Sequence, residues 1–336
     1  MIKASFKKKI FNFKVPSGTS RGILTEKHAW FLSVWDEESP QTIGVGECSI
    51  IPGLSPDFIS FANYEHQLSN LCSNLSIDLT NWPSLKFGLE TALLDLNSRG
   101  NQIYFDNDFH KGKLKIPING LIWMGSEEFM QDQIDEKIAA GFKTIKMKIG
   151  SIDFETEFKL LSRIREKYSK EELTVRVDAN GSFSPEAAIE KLTLLESIDI
   201  HSIEQPIAAG QFKKMQELCS LSPLKIALDE ELIGVNTLEE KIKLLDTIKP
   251  PYIILKPSLH GGISGCKEWI SLAEERDIAW WITSALESNI GLNAICQFTA
   301  EYNNQLPQGL GTGSLYTDNI PSDLTVENGY IFAKKH

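Results

Sequence analysis

From Lys115 onward the chain keeps a single rhythm: short apolar stretches alternate with amphipathic helical patterns at a period near 25 residues. The apolar stretches are 116–121, 144–149, 174–178, 202–204, 225–229, 252–256, 279–283 and 309–310. Helical periodicity fills most of the gaps, as at 127–140, 154–167, 185–196 and 262–275. Strands that alternate with helices pair in parallel, because each crossover returns the chain to the same edge. Eight such strands predict a closed (β/α) barrel rather than an open sheet. The eighth is followed by a tail that does not read as a helix.

The first third is different. Residues 4–15 and 29–35 alternate like antiparallel strands. The polar run 16–22, Pro-Ser-Gly-Thr-Ser-Arg-Gly, has the composition of a lid loop. A further strand at 42–49 ends in Gly46-Glu47-Cys48 and leads into a second candidate loop at 51–56. Residues 57–74 and 84–99 carry helical patterns. The predicted fold is α/β: a modified TIM barrel, (β/α)7β, at 113–315, with an α+β capping domain at 1–112 completed by about 316–336. A chain of 336 residues exceeds the usual single-domain size, which agrees with that division.

Composition removes several function classes. The net charge is −11 and no basic block occurs, which disfavours a nucleic-acid partner. No apolar run approaches the ~18 residues of a membrane helix, so no membrane partner is expected. Cys48, Cys72, Cys219, Cys266 and Cys296 are scattered, odd in number and never paired as CxxC. That argues against a disulfide framework or structural zinc and fits a reducing cytoplasm. The basic start, MIKASFKKKIFNFKV, alternates like a strand and does not read as a signal peptide.

In a barrel of this kind, active sites lie at the carboxyl ends of the strands. The third, fourth and fifth strands end in Asp178, Glu204 and Asp229, and the sixth in Lys256, at spacings of 26, 25 and 27 residues. One βα unit separates each, so they are expected to be neighbours around the rim. Three crowded carboxylates raise one another's pKa, a conflict that a hard cation such as Mg²⁺ resolves. The second strand carries Lys146-Met-Lys148, whose alternation turns both lysines inward. A substrate carboxylate between these groups would lose its alpha proton to a lysine whose pKa is depressed by neighbouring cations.

Taken in order, KMK, VDAN, IEQP, LDE and LKP resemble the motifs of the enolase superfamily, in the muconate-lactonising-like subgroup, over essentially the whole chain. Lysine or histidine with Mg²⁺ is a known pattern there. Within the subgroup, GVGECSIIPGLS, Arg176-Val-Asp178-Ala-Asn180 and the run from Thr283 to Gly291 resemble members that dehydrate a succinyl-hydroxycyclohexadiene carboxylate for menaquinone biosynthesis. The loop Gly309-Leu-Gly311-Thr-Gly313 lacks the Asp-x-Asp with which dipeptide epimerases hold an amino group. The resemblance implies a lyase with Mg²⁺ (or Mn²⁺) on Asp178, Glu204 and Asp229, and no organic cofactor. It implies that Lys148 removes the alpha proton and returns it to the departing hydroxyl, that Lys256 steadies the enediolate as an ammonium, and that Lys146 neutralises the substrate carboxylate. Arg176, Asn180, Thr283, Ser284 and Gly311 are the expected substrate-binding residues, with the cap loops near 17–21 and 50–55 setting substrate choice.

Blander readings stand beside these. A lone strand-end aspartate is more often a helix cap. Glu230 and Glu231 follow Asp229 and blur its register. The lysines alternate as they would on a sheet edge, although a closed barrel has none. Asn180 could serve only a turn, Glu287 could partner Lys256 or start a helix, and His260 reads as a loop residue. Trp280 and Trp281 read as packing. Racemisation of N-succinylamino acids, dipeptide epimerisation and cycloisomerisation would use the same metal and lysines, and a non-catalytic binding protein on this scaffold is the remaining rival.

Overall fold

The computed structural model describes residues 1–19 and 22–334. The chain begins with β1 (Ile2–Thr19), β2 (Gly22–Asp36) and β3 (Ile43–Ser49), an antiparallel sheet in that order. The expected loop at 16–22 is corrected here. Apart from Ser20 and Arg21, which lie outside the described residues, it continues β1 and begins β2, with Ser17 opposite Leu24 and Thr19 opposite Gly22. The register shifts between Asn12 and Ser17. That shift absorbs Pro16, which has no N–H to donate and is tolerated on this edge strand.

Helices α1 (Phe61–Ser73) and α2 (Pro83–Asn97) complete the cap. Alternation sends Trp30, Leu32 and Val34 of β2 into a core with Tyr64, Leu68 and Leu85. Contact between β3 and α2 is close because glycines face each other. A Cβ at Gly46 would collide with the Gly88 carbonyl.

The barrel follows β4 (Ile116–Pro117). Its strands and helices are β5 (Gly120–Ile122), α3 (Glu127–Ala139), β6 (Thr144–Lys148), α4 (Phe154–Lys167), β7 (Thr174–Asp178), α5 (Pro185–Ser197), β8 (Ser202–Glu204), α6 (Phe212–Leu221), β9 (Ile226–Leu228), α7 (Leu238–Ile248), β10 (Tyr252–Leu255), α8 (Gly262–Glu274), β11 (Ala279–Ile282) and α9 (Asn289–Thr299). The seven strands β5 to β11 form one parallel sheet in sequence order. Gln308 bridges Ile118 and Gly309 bridges Thr283, so the eighth position is a pair of isolated bridges between the two edges. Among the described residues no helix follows it, which gives the (β/α)7β pattern. The first expected barrel strand, 116–121, is divided. Only β5 joins the barrel, while β4 pairs with the tail.

Alternation sorts each barrel strand into two faces. Ile145, Met147, Val175, Val177, Ile203, Leu228, Ile253 and Leu255 face the helices in the main core. Ala227, Tyr252, Ile254 and Trp281 form a separate cluster, to which the interior charges belong by register. Helix starts follow the same local logic. Ser126, Asp153, Ser184, Thr237 and Ser288 each accept a bond from a backbone N–H of the helix they precede. The tail divides as well. Lys14 N donates to Leu315 O at 2.8 Å and Thr317 N to Asn12 O at 2.9 Å, tying it to the cap strand β1. Beyond that, β12 (Leu324–Glu327) and β13 (Tyr330–Ala333) pair with β4 and add no strand to the cap sheet. Among the described residues no helix is long and apolar enough to cross a membrane, and all five cysteines are free.

Candidate active site

A cavity of about 740 Å³ opens at the carboxyl ends of the barrel strands, beneath the cap hairpin. Lys146, Lys148, Asp178, Asn180, Glu204, Lys256, Thr283, Ser284 and Gly311 all line it. Strand register explains the gathering, since Lys146 stands opposite Arg176, Lys148 opposite Asp178, and Asp178 opposite Glu204.

The charged groups alternate in sign. Lys146 Nζ lies 2.8 Å from Glu204 and 3.1 Å from Asp178, and Lys148 Nζ lies 2.9 Å from Asp178. Lys256 pairs with Asp229, which is wholly buried behind it and does not line the cavity. Burial alone would push the Lys146 and Lys256 ammoniums down, but the facing carboxylates outweigh it and hold both above the usual lysine range. Burial likewise pushes Asp178 up, and the Lys146 and Lys148 charges reverse it, leaving the carboxyl below its ordinary value. Glu204 goes up, driven by burial and then by the Asp178 charge.

The expected three-carboxylate cluster is therefore not preformed. Among the described residues no group of three or more acidic, histidine or cysteine side chains sits close enough to hold a metal, and Lys146 lies between Asp178 and Glu204. The donors still fit a hard cation in kind. All are carboxylate oxygens, and Glu204 Oε1 and Asp229 Oδ1 are buried without a hydrogen-bond partner. The register ambiguity after Asp229 resolves cleanly. Glu231 turns away to accept from Gln205 Nε2 at 3.0 Å and Gly210 N at 2.9 Å, and Glu230 accepts from Asn180 Nδ2 at 3.0 Å.

Asn180, at φ 44°, accepts from Lys148 Nζ at 2.8 Å and so aims that lysine as well as making its turn. Arg176 is the exception among the expected substrate contacts. It lies outside the cavity lining, in the interior beneath it. Its Nη1 donates to Pro307 O at 2.8 Å and its guanidinium sits 4.1 Å from the Trp281 ring centroid. Two residues before Asp178 on one inward face means one layer deeper, which explains the difference.

His260 is buried and its Nδ1 accepts from Lys256 N at 2.8 Å. Burial lowers its pKa to about 3, so it stays neutral and fixes the lysine's backbone. Glu287 partners Ser258 and, at 2.7 Å, Ala285 N, and does not pair with Lys256. Sequence reasoning assigned no role to Lys27, Glu47 or Tyr316, although Glu47 lies within the cap motif GVGECSIIPGLS. Glu47 of β3 accepts from Ser288 N at 2.9 Å, Ser288 Oγ at 2.6 Å and Gly291 N at 2.9 Å, capping α9 from the cap side. Glu90 of α2 does the same for α8, accepting from Ile263 N at 2.6 Å. Lys27 donates to Ala285 O and Tyr316 to Leu286 O. The available signal for Lys27 was its alternation with Ala29 and Phe31, which places a lysine on an apolar face.

The sequence matches the family described as Enolase C-terminal domain-like over residues 130–335. It is 46% identical to an o-succinylbenzoate synthase of Desulfotalea psychrophila, over 98% of this chain and 98% of that protein. The crystal structure of MenC from Desulfotalea psychrophila superposes with a TM-score of 0.88 at 42% identity, covering 98% of this chain and 99% of that one. A dipeptide epimerase from Enterococcus faecalis, complexed with Mg and the dipeptide L-Leu-L-Tyr, shares the fold at a TM-score of 0.83 but only 18% identity, covering 99% of this chain and 97% of its own. The chain belongs to the enolase superfamily.

Proposed function

We propose that this chain is a carbon–oxygen lyase of menaquinone biosynthesis that dehydrates 2-succinyl-6-hydroxy-2,4-cyclohexadiene-1-carboxylate to o-succinylbenzoate. The observation that carries the reading is the 46% identity to an o-succinylbenzoate synthase along nearly all of both chains. In this reading residues 1–112 act as the cap and 113–315 as the catalytic barrel.

The substrate's ring carboxylate enters among Lys146, Lys148 and Lys256. Lys148, as the amine, takes the alpha proton, and Asn180 keeps its nitrogen directed at the cavity. Negative charge moves onto the carboxylate oxygens, where the Lys256 ammonium meets it and Lys146 adds a second positive charge. The C–O bond of the ring hydroxyl then breaks. Lys148 gives its proton to the departing oxygen, so water leaves and the ring becomes aromatic. Proton and hydroxyl depart from one face, so a single lysine serves both steps. Asp178, Glu204 and Asp229 would hold Mg²⁺, which when bound supplies positive charge for the carboxylate as the proton leaves.

Thr283, Ser284 and Gly311 also line the cavity, where the rest of the substrate would lie. Ser284 Oγ is 2.6 Å from Thr312 Oγ1, a hydroxyl pair joining the seventh and eighth strand ends. The test is turnover of the cyclohexadiene substrate by the purified chain with Mg²⁺, followed as the rising ultraviolet absorbance of the aromatic product. No turnover, together with racemisation of N-succinylamino acids, would overturn the lyase reading in favour of a relative's chemistry on the same lysines.

A further inference from the structure

The cavity wall at 284–288 is held by the barrel at Ser284 and Glu287, through Gly309 O, Thr312 and Ser258, and by cap and tail residues between and beyond them. Lys27, buried in the cap strand β2, donates from Nζ to Ala285 O at 2.8 Å. Glu287 accepts from Ala285 N, so both the N–H and the C=O of Ala285 are held. Leu286 sits at φ 62°, in the left-handed region that a leucine rarely adopts. Its carbonyl accepts from the Tyr316 hydroxyl at 2.6 Å. The wall ends at Ser288, whose N and Oγ both donate to Glu47. A backbone shape that its own residues disfavour is thus imposed by cap and tail side chains.

Ser284, Ala285 and Leu286 touch the cavity, and Lys27 does not. Around them lie Leu24, Ile51, Leu54 and Leu315, the apolar, cap-side end. The reacting carboxylate belongs among the lysines at the strand ends. We propose that Lys27 is a positioning residue for the substrate's succinyl arm: its bond to the Ala285 carbonyl holds the 284–288 wall in the shape that receives that arm. The identity of the arm rests on the function proposed above, whereas the bracing itself does not.

Two readouts separate the bracing from that function. In Lys27→Met, KM for the cyclohexadiene substrate should rise roughly 10-fold with kcat nearly unchanged, the signature of lost binding that is equal in ground and transition states. Without any ligand, amide hydrogen exchange at 284–291 should quicken while the remaining barrel amides keep their rates. Tyr316→Phe, which deletes one hydroxyl, should give a smaller change of the same kind and serves if Lys27→Met does not fold. Lys8→Met, at a partly exposed lysine of the same hairpin paired with Glu65, should change neither readout. Wild-type KM and wild-type loop exchange in the folded variants would overturn the proposal, as would faster exchange spread evenly across the barrel. If the wild-type chain fails to turn over this substrate, the function falls, and loop exchange in the variants still decides the bracing.

Discussion

The barrel rim and the cap both bury charged side chains, but they use them differently. At the rim, Lys146, Lys148 and Lys256 alternate with Asp178, Glu204 and Asp229, and nearly every charge faces a cavity. In the cap, Glu47, Glu90 and Lys27 reach across to backbone N–H and C=O groups of the barrel. The rim's ion pairs leave carboxylate oxygens without partners, as at Glu204 and Asp229. The cap glutamates instead close off the helix starts of α8 and α9. Charges meant to act on a substrate keep spare valence, while charges meant to dock one layer on another use theirs up.

The contrast breaks first at Lys148. Lys148→Ala should lower kcat by about 10²–10⁴-fold while Mg²⁺ still raises the melting temperature. An active Lys148→Ala protein would mean that the base lies elsewhere. The next largest effect is expected at the unsatisfied oxygens. Glu204→Gln should remove the rise in melting temperature that Mg²⁺ gives the wild type by stabilising the folded state alone, and excess chelator should silence the wild-type enzyme. A Mg²⁺ shift that persists in Glu204→Gln would take this residue out of the donor set.

On the cap side the effects should be on stability. Glu47→Gln places an amide where three donors converge and removes a charge from the α9 N-terminus. It should cost about 1–3 kcal/mol in denaturant unfolding, and an unchanged midpoint would mean that the cap does not need this staple. The smallest effect is a pH dependence at Glu157, which accepts from Gly150 N at 2.7 Å just beyond Lys148. Burial raises its carboxyl from 4.5 to about 7. Between those values the folded chain keeps a proton that the unfolded chain has released, so stability from this group is full below about 4.5 and falls as pH rises towards 7. Glutamine does not titrate, so the melting temperature of Glu157→Gln should gain on the wild type between pH 5 and pH 8. A constant difference across that range would remove the titration.

Much of the rim was legible because one βα unit spans about 25 residues and side chains alternate along a strand. Those two periods bring Lys146, Lys148, Asp178 and Glu204 to one mouth without any tertiary information. The same periods mislead by one layer at Arg176, since alternation specifies the inward face and says nothing about depth. The segment 16–22 was misread for a related reason. Proline and glycine mark a turn locally, but a register shift against β2 let the strand run through.

The sequence by itself determined the barrel, its superfamily and the charged residues at its strand ends, because these follow from short-range periodicity and ordered motifs. Tertiary structure alone decided three things. Glu231 turns away from the site to Gln205 and Gly210. Lys146 sits between Asp178 and Glu204, and Lys256 against Asp229. Lys27, Glu47 and Tyr316 shape a cavity wall more than 250 residues distant from the first of them in one case. The physical reason is common to all three. A buried charge takes whichever partner the packing brings within hydrogen-bond reach, and contacts between remote segments leave no period along the chain.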